Sequence, residues 1–252
     1  NLTERLIGVN SHLNIYSFNK KINLEEVNTL KNNLDSKTYD KLLPSIETQG
    51  LVISNEVSKG VIIRGYEDLN SSHYLYNKII TKKLSSINFN QIIIGDALAK
   101  ELNLQIGGKL KLAIPKTDKS LLGEIPRFKT LTVSGIFDFG MYEYDIGLVF
   151  ISLELAQRLL LFEDNYYNRL EFYLDNPLLV DEFKSHVDLN ITNKSLNLYS
   201  LSWMERNSSL MNALKVEKNV MFLILTLIIV VASMNIISGL VIFVKEKNKD
   251  IA

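Results

Sequence analysis

The sequence has no cysteine among its 252 residues, one tryptophan, three histidines, and no excess of either charge, with 28 Lys and Arg against 28 Asp and Glu. Each scarcity excludes a class of chemistry. Without cysteine there is no disulfide scaffold, zinc–thiolate site, iron–sulfur cluster or cysteine nucleophile. Zero net charge argues against general nucleic-acid binding, which rests on clustered Lys and Arg neutralising phosphates. His12, His73 and His186 are isolated and lack H-x-x-H or H-x-x-x-H spacing, so no metal site is expected. There is no G-x-S-x-G elbow and no Walker A loop. Gly107-Gly108-Lys109 lacks both the upstream glycine and the hydroxyl that a Walker A loop needs.

Apolar residues make up 46% of the chain, and the mean hydropathy is slightly positive despite 22% charged residues. That combination points to one concentrated apolar segment. It is Val220 to Val244, 25 residues without a charge, of which twenty are apolar. As a helix it would be about 37 Å long, enough to cross a hydrocarbon core of about 30 Å. A buried core helix is the competing reading, but its uncharged run is usually about 10–14 residues. Lys245, Lys247 and Lys249 against Glu246 and Asp250 place the C-terminal end in the cytoplasm, against Lys215, Lys218 and Glu217 on the other side. Asn235, Ser238 and Gly239 recur at i, i+3 and i+4, so they share one face. Polar and small residues in a span face other helices, so the helix is expected in a bundle. With no initiator Met and a stop soon after the helix, the chain is expected to be an excerpt of a longer membrane protein.

The residues before this helix read as α+β. HLNIYSF (12–18) alternates as a half-buried strand does, and Asn23 is a candidate N-cap for a helix with Leu24, Val27, Leu30 and Leu34 at helical spacing. Residues 45–66 read as two strands joined by a turn near 55–60. The pattern returns late: NRLEFYL (168–174) alternates, Pro177 suits a first helical turn before Val180 and Phe183, and LNLYSL (196–201) alternates again. Two readings are open. One is a split domain with residues 86–150 inserted as a β-rich block, which is preferred; the other is two independent lobes. Within the block, Pro115 to Pro126 forms a proline-bounded loop between strand-like flanks. Its Leu121, Leu122 and Ile125 either make an exposed contact tip or fold back onto the block. Asp138, Glu143 and Asp145 could serve acid–base chemistry, but a solvated loop with aromatic packing is the preferred reading. Trp203 is expected in the core, and residues 204–219 are expected to carry a helix on into the span.

VEKNVMFLILTLIIVVASMNIISGLVIFVKEKNKDIA resembles the second transmembrane segment of lipoprotein-releasing ABC transporter permeases, the LolC/LolE family. RLIGVNSHLNIY, VIIRGYEDLN, IIIGDALAKELNLQIGGKLKLAIP and GEIPRFKTLTVSGIFDFGMYEYDIGLVFISLELAQRLL agree with that family in order. The resemblance implies a MacB-like periplasmic core domain of the MacB/FtsX-like superfamily. It would have a split Porter-like subdomain (1–85 and 151–203) and an inserted Sabre-like subdomain (86–150). A connecting helix (204–219), a transmembrane helix (220–244) and the start of a cytoplasmic segment (245–252) would follow. It implies a non-catalytic permease subunit of the bacterial inner membrane with residues 1–219 periplasmic. Its partners would be a LolD-like ATPase holding ATP and Mg, a second permease subunit, the lipoprotein substrate, and a LolA-like periplasmic carrier. No cofactor is expected in this chain. In LolC-type members a Hook loop and a Pad at its base bind the carrier. The resemblance assigns Pro115, Leu121, Leu122, Ile125 and Pro126 to the Hook and Lys111, Arg127, Phe128 and Lys129 to the Pad region. Lys111 keeps the family's positive charge, Phe128 replaces an amide, and Leu121 stands in place of a proline. The alternatives are a MacB-type efflux or mechanotransmission permease, or a single-span sensor domain.

Overall fold

The protein, seen in a computed structural model, is described over residues 9–68, 75, 78–80, 87–114 and 127–251. Contacts divide it into two units, residues 1–203 and 204–252.

In the first unit β1 (Leu13–Ser17) and the short β2 (Ile22–Asn23) precede α1 (Leu24–Asn33). Asn23 caps α1: its side-chain oxygen accepts from the Glu26 N–H at 2.8 Å, and Glu26 accepts from the Asn23 N–H at 2.9 Å. This reciprocal pair satisfies two donors that a helix start otherwise leaves open, and it leaves Val27 and Leu30 facing inward. β3 (Lys41–Ser54) and β4 (Val57–Tyr66) form a long hairpin. Its turn is Asn55-Glu56, with φ of 48° and 67°. Two-residue hairpins favour positive φ at both positions because that twist matches the strands. The turn is therefore shorter than the expected 55–60, and Gly60 belongs to β4.

β5 (Gln91–Gly95), α2 (Asp96–Glu101), β6 (Lys109–Ile114) and β7 (Arg127–Phe137) come next. The strands flank the Pro115–Pro126 loop, which lies outside the described residues. α3 (Tyr142–Gly147) is a helix where a loop was expected. β8 (Leu148–Ser152), α4 (Leu153–Leu160), the short β9 (Tyr166–Tyr167) and β10 (Arg169–Tyr173) lead to a 3₁₀ turn at Pro177–Leu179, then α5 (Val180–Asn193) and β11 (Leu198–Ser202). Pro177 occupies the first turn as expected, with Asn176 capping it by accepting from the Leu178 N–H at 3.0 Å.

The strands run β11-β1-β10-β3-β4-β8-β5-β7-β6, and β6 pairs back onto β3. Six strands from β3 to β6 thus close into a ring, while β10, β1 and β11 extend from β3. The early and late segments pair with each other, with Leu13 opposite both Phe172 and Ser202. Inside the ring Val52, Ile63, Ile92, Leu112, Leu131 and Val149 are each almost fully buried. Such burial contributes about 1.5–3 kcal/mol per large side chain. Gly50 sits where β3 meets β4 and β6. A Cβ there would stand 2.6 Å from the Ala113 carbonyl oxygen and 2.6 Å from Ile63 Cδ1, so the close approach that shuts the ring requires glycine.

The second unit holds α6 from Met204 on (Trp203–Arg206) and α7 (Ser208–Ile251), 44 residues in one helix. Ser208–Lys245 is long and apolar enough to cross a membrane. The Thr226 and Ser233 hydroxyls donate to the carbonyls of Phe222 and Ile229, both at 2.8 Å, so these polar groups are satisfied within the helix.

Gly50→Val is expected to lower stability by about 2–3 kcal/mol. Gly60→Val, where a Cβ meets nothing within 4 Å, is expected to change it by less than about 0.5 kcal/mol. Urea unfolding followed by Trp203 fluorescence measures both.

Candidate functional site

The site is built from the two strands that flank the Pro115–Pro126 loop. β6 and β7 pair antiparallel, with Lys111 opposite Thr130 and Ala113 opposite Phe128. β6 also pairs with β3, with Ile53 opposite Lys111 and Leu51 opposite Ala113, and β3 faces β4 with Gly60 opposite Leu51. Directly opposed residues project from the same face. Two cross-strand rows result: Gly60, Leu51, Ala113 and Phe128, then Ser58, Ile53, Lys111 and Thr130. Phe128 is 57% exposed and Leu51 46%, and Ile62 on the same face is 39% exposed. Lys109 lies opposite Thr132 on this face and is also exposed. The outer wall of the ring therefore carries an apolar strip with two lysines beside the loop. Leu51, Ile53 and Ile62 escape sequence reading because they lie far from the loop in the chain and join it only through the β3–β6 pairing.

The other Pad-region residues turn away from this strip. Arg127 Nη1 donates to the Leu159 carbonyl at 3.0 Å. Lys129 Nζ lies 4.8 Å from the Phe89 ring centroid, and Arg158 lies at 4.8 Å from the same centroid. Successive strand residues point to opposite faces. Lys111 and Phe128 thus share a surface, while Arg127 and Lys129 pack on the other. Pro115, Leu121, Leu122, Ile125 and Pro126 lie outside the described residues, as does His73. Asn235, Ser238 and Gly239 are exposed on α7.

The carboxylates at 138–145 have structural work. Asp145 is buried; its Oδ1 accepts from the Phe139 N–H at 2.8 Å and its Oδ2 from the Met141 N–H at 3.2 Å. Burial, with Asp138 nearby, pushes its carboxyl above the usual range. Asp138 accepts from the Gly140 N–H at 2.7 Å, and Glu143 is exposed. Neither is arranged with a nucleophile.

A second polar cluster lies on the same strands, buried at their other end. Arg169 on β10 is fully buried. Its Nε donates to Asn14 Oδ1 at 2.6 Å, its Nη2 to Ser11 Oγ at 3.1 Å, and its Nη1 to Glu47. Arg64 Nε also donates to Glu47 at 2.8 Å, and Arg64 Nη1 and Nη2 hold the Val9 carbonyl at 3.3 Å and Asn10 Oδ1 at 2.9 Å. Glu171 accepts from Ser45, Tyr66 and Tyr173 hydroxyls at 2.6–2.9 Å. Burial pushes the Arg169 guanidinium down, but Glu171 and Glu47 outweigh it and hold it above the usual arginine value. Sequence reading takes RLEFY as an alternating strand and gives no sign that its arginine faces inward.

His12 joins this region to the end of the first unit. Its Nδ1 accepts from the Leu174 N–H at 2.8 Å, and its carbonyl accepts from the Trp203 N–H at 2.9 Å. Trp203 is buried as expected, and its indole donates to the Pro177 carbonyl at 3.0 Å. Burial pushes His12 from 6.5 down to about 4. A proton on Nδ1 would remove the Leu174 bond. The folded value is depressed, so this group's stabilisation is full above pH 6.5 and is lost as pH falls towards 4. Thermal midpoints between pH 6.5 and 5 are expected to fall for the native chain and to fall less for His12→Phe.

No protein-family model matches the sequence. The chain is 34% identical to the lipoprotein-releasing system transmembrane protein LolC of Neisseria meningitidis serogroup B, over 64% of this chain and 38% of that protein. It is 27% identical to LolC of Buchnera aphidicola subsp. Schizaphis graminum, over 93% of this chain and 57% of that protein. It is 25% identical to LolE of Haemophilus influenzae, over 100% of this chain and 61% of that protein. The chain thus spans between 38% and 61% of these relatives. Among solved structures, the periplasmic region of MacB from Actinobacillus actinomycetemcomitans is similar with a TM-score of 0.48 and 12% identity, over 82% of this chain and 95% of that one.

Proposed function

We propose, for a chain that is a relative of the LolC/LolE family of lipoprotein-releasing transmembrane proteins, that it is part of a permease subunit in the bacterial inner membrane. It docks a soluble lipoprotein carrier of the LolA type. On this reading residues 1–219 face the periplasm and residues 220–244 cross the membrane. ATP hydrolysis with Mg takes place on a separate LolD-like subunit, and a second permease subunit completes the bundle that Asn235, Ser238 and Gly239 face. On this reading the chain is a non-catalytic subunit.

The observation that carries the docking role is the strip Leu51, Ile53, Ile62 and Phe128 with Lys111, on the strands that precede and follow residues 115–126, to which the resemblance assigns the carrier-binding Leu121, Leu122 and Ile125. An acyl chain loses about 0.8 kcal/mol per CH₂ when it leaves an apolar environment for water. A carrier must therefore be seated before a lipoprotein is released. An apolar face with a few cations suits a carrier that is itself greasy at its opening, and it needs no long-range field from a chain of zero net charge.

A pull-down with the carrier is expected to lose binding at least tenfold when Leu121, Leu122 and Ile125 are changed together to Asp, and likewise for Leu51→Asp with Phe128→Asp. Lys129→Gln, on the opposite face, is expected to bind as the native chain does. Unchanged binding in both Asp variants would reject the docking role. Capture of a membrane-fusion adaptor in place of the carrier would favour an efflux permease.

A further inference from the structure

A second hollow lies away from the carrier strip, in the first unit. It is a groove of about 480 Å³ between the end of α1 and the loop after it, the end of β10, the 3₁₀ turn and α5. Its floor is Leu34, Leu174 and Phe183, all largely buried, and Leu179 stands 53% exposed at its lip. Its rim is acidic. Asp35, Asp175 and Glu182 line it against the single cation Lys37, with His186 the remaining titratable group. Among the described residues, neither Asp175 nor Glu182 is in an ion pair. The neighbouring Leu178 is 66% exposed, so the apolar surface continues past the lip.

We propose that this groove is a docking site for a basic amphipathic segment of a partner polypeptide. An apolar floor takes one or two large side chains, and the acidic rim pairs with lysine or arginine next to them. The volume lies within the roughly 300–1,000 Å³ of a binding cleft, and it holds a few side chains rather than a folded surface. A rim of three carboxylates against one lysine repels anions, including phosphate headgroups. Complementary charge gives such a site its choice of partner and its sensitivity to salt. The site is independent of the carrier strip, since it shares no residue with it.

The test uses the full chain in neutral-lipid nanodiscs and a fluorescein-labelled helical peptide of leucine and lysine with the leucines at i, i+3, i+4 and i+7. The control is the same peptide with glutamate for lysine. Anisotropy is expected to show the lysine peptide binding at least tenfold more tightly than the glutamate peptide, and more weakly as salt rises. Asp175→Lys with Glu182→Lys is expected to reverse that preference. Leu179→Asp is expected to weaken the lysine peptide at least tenfold. The three side chains changed here, Asp175, Leu179 and Glu182, are exposed, so circular dichroism should match the native chain. Equal affinity for the two peptides, or an unchanged preference in the charge-reversed chain, would overturn the proposal. So would sedimentation showing that the same charge reversal abolishes self-association, because the occupant would then be a second copy of this chain.

Discussion

The pairing of the buried Arg169 with Glu171 and the partly exposed Glu47, joined by Arg64, is the constraint on which the first unit depends. Burying a guanidinium costs several kcal/mol unless its charge and donors are matched. Here the matching groups come from four stretches of chain: residues 9–14, β3, β4 and β10. Glu47 is shared by both arginines, and its backbone is tied to Asn168 in both directions, at 2.8 Å each. Among the described residues one buried side-chain atom, Asn14 Nδ2, has no partner. The network therefore does not simply add stability. It ties residues 9–14, β3, β4 and β10 together, because both arginines are satisfied only when groups from all four are in place.

Two of the strands that hold the network, β3 and β4, also carry part of the exposed apolar strip. Glu47 and Arg64 lie opposite each other on β3 and β4; two residues along, Gln49 faces Ile62, and then Leu51 faces Gly60. The face is buried and ionic at one end and open and apolar at the other. Closure of the ring through β6 brings Lys111 and Phe128 onto that open end. At the ionic end, residues 9–12 lie against the strands that lead to Trp203, through β1–β11 pairing and the His12–Trp203 bond. One sheet thus joins the exposed strip to residues 13–17 of β1 and to β11, which leads to Trp203.

Much of this was legible in the sequence for a physical reason: period-2 and period-3.6 patterns report one buried face. The capped helix after Asn23, KLKLAI and LNLYSL follow those periods, QIIIG stands out as an unbroken apolar run, HLNIYSF alternates although both of its faces are buried, and the uncharged run at 220–244 marks a helix long enough to cross a membrane. Features without a periodic signal were not legible. The two-residue turn at Asn55-Glu56 has no glycine, so the nearest glycine misled the boundary. α3 is only six residues long and is dominated by aromatics and acids. The β3–β6 pairing is non-local, so neither the ring nor Leu51's place beside Phe128 could be read. Facing was lost too: family resemblance grouped Phe128 with Lys129, yet neighbouring strand residues project to opposite sides. The alternation of NRLEFYL says nothing of where Arg169 is buried, because local pattern cannot show a partner 122 residues away.

The most direct test is the stability of Arg169→Met in the full chain, measured by urea unfolding with Trp203, the single tryptophan, as the probe. The variant leaves Glu171 buried without a cation and Glu47, at the edge of the cluster, with Arg64 alone. It should lose about 3–5 kcal/mol of stability, with Trp203 emission shifting towards the solvent-exposed value at low urea. A loss below about 0.5 kcal/mol, with Trp203 still buried, would contradict the claim that this network holds the early and late segments together.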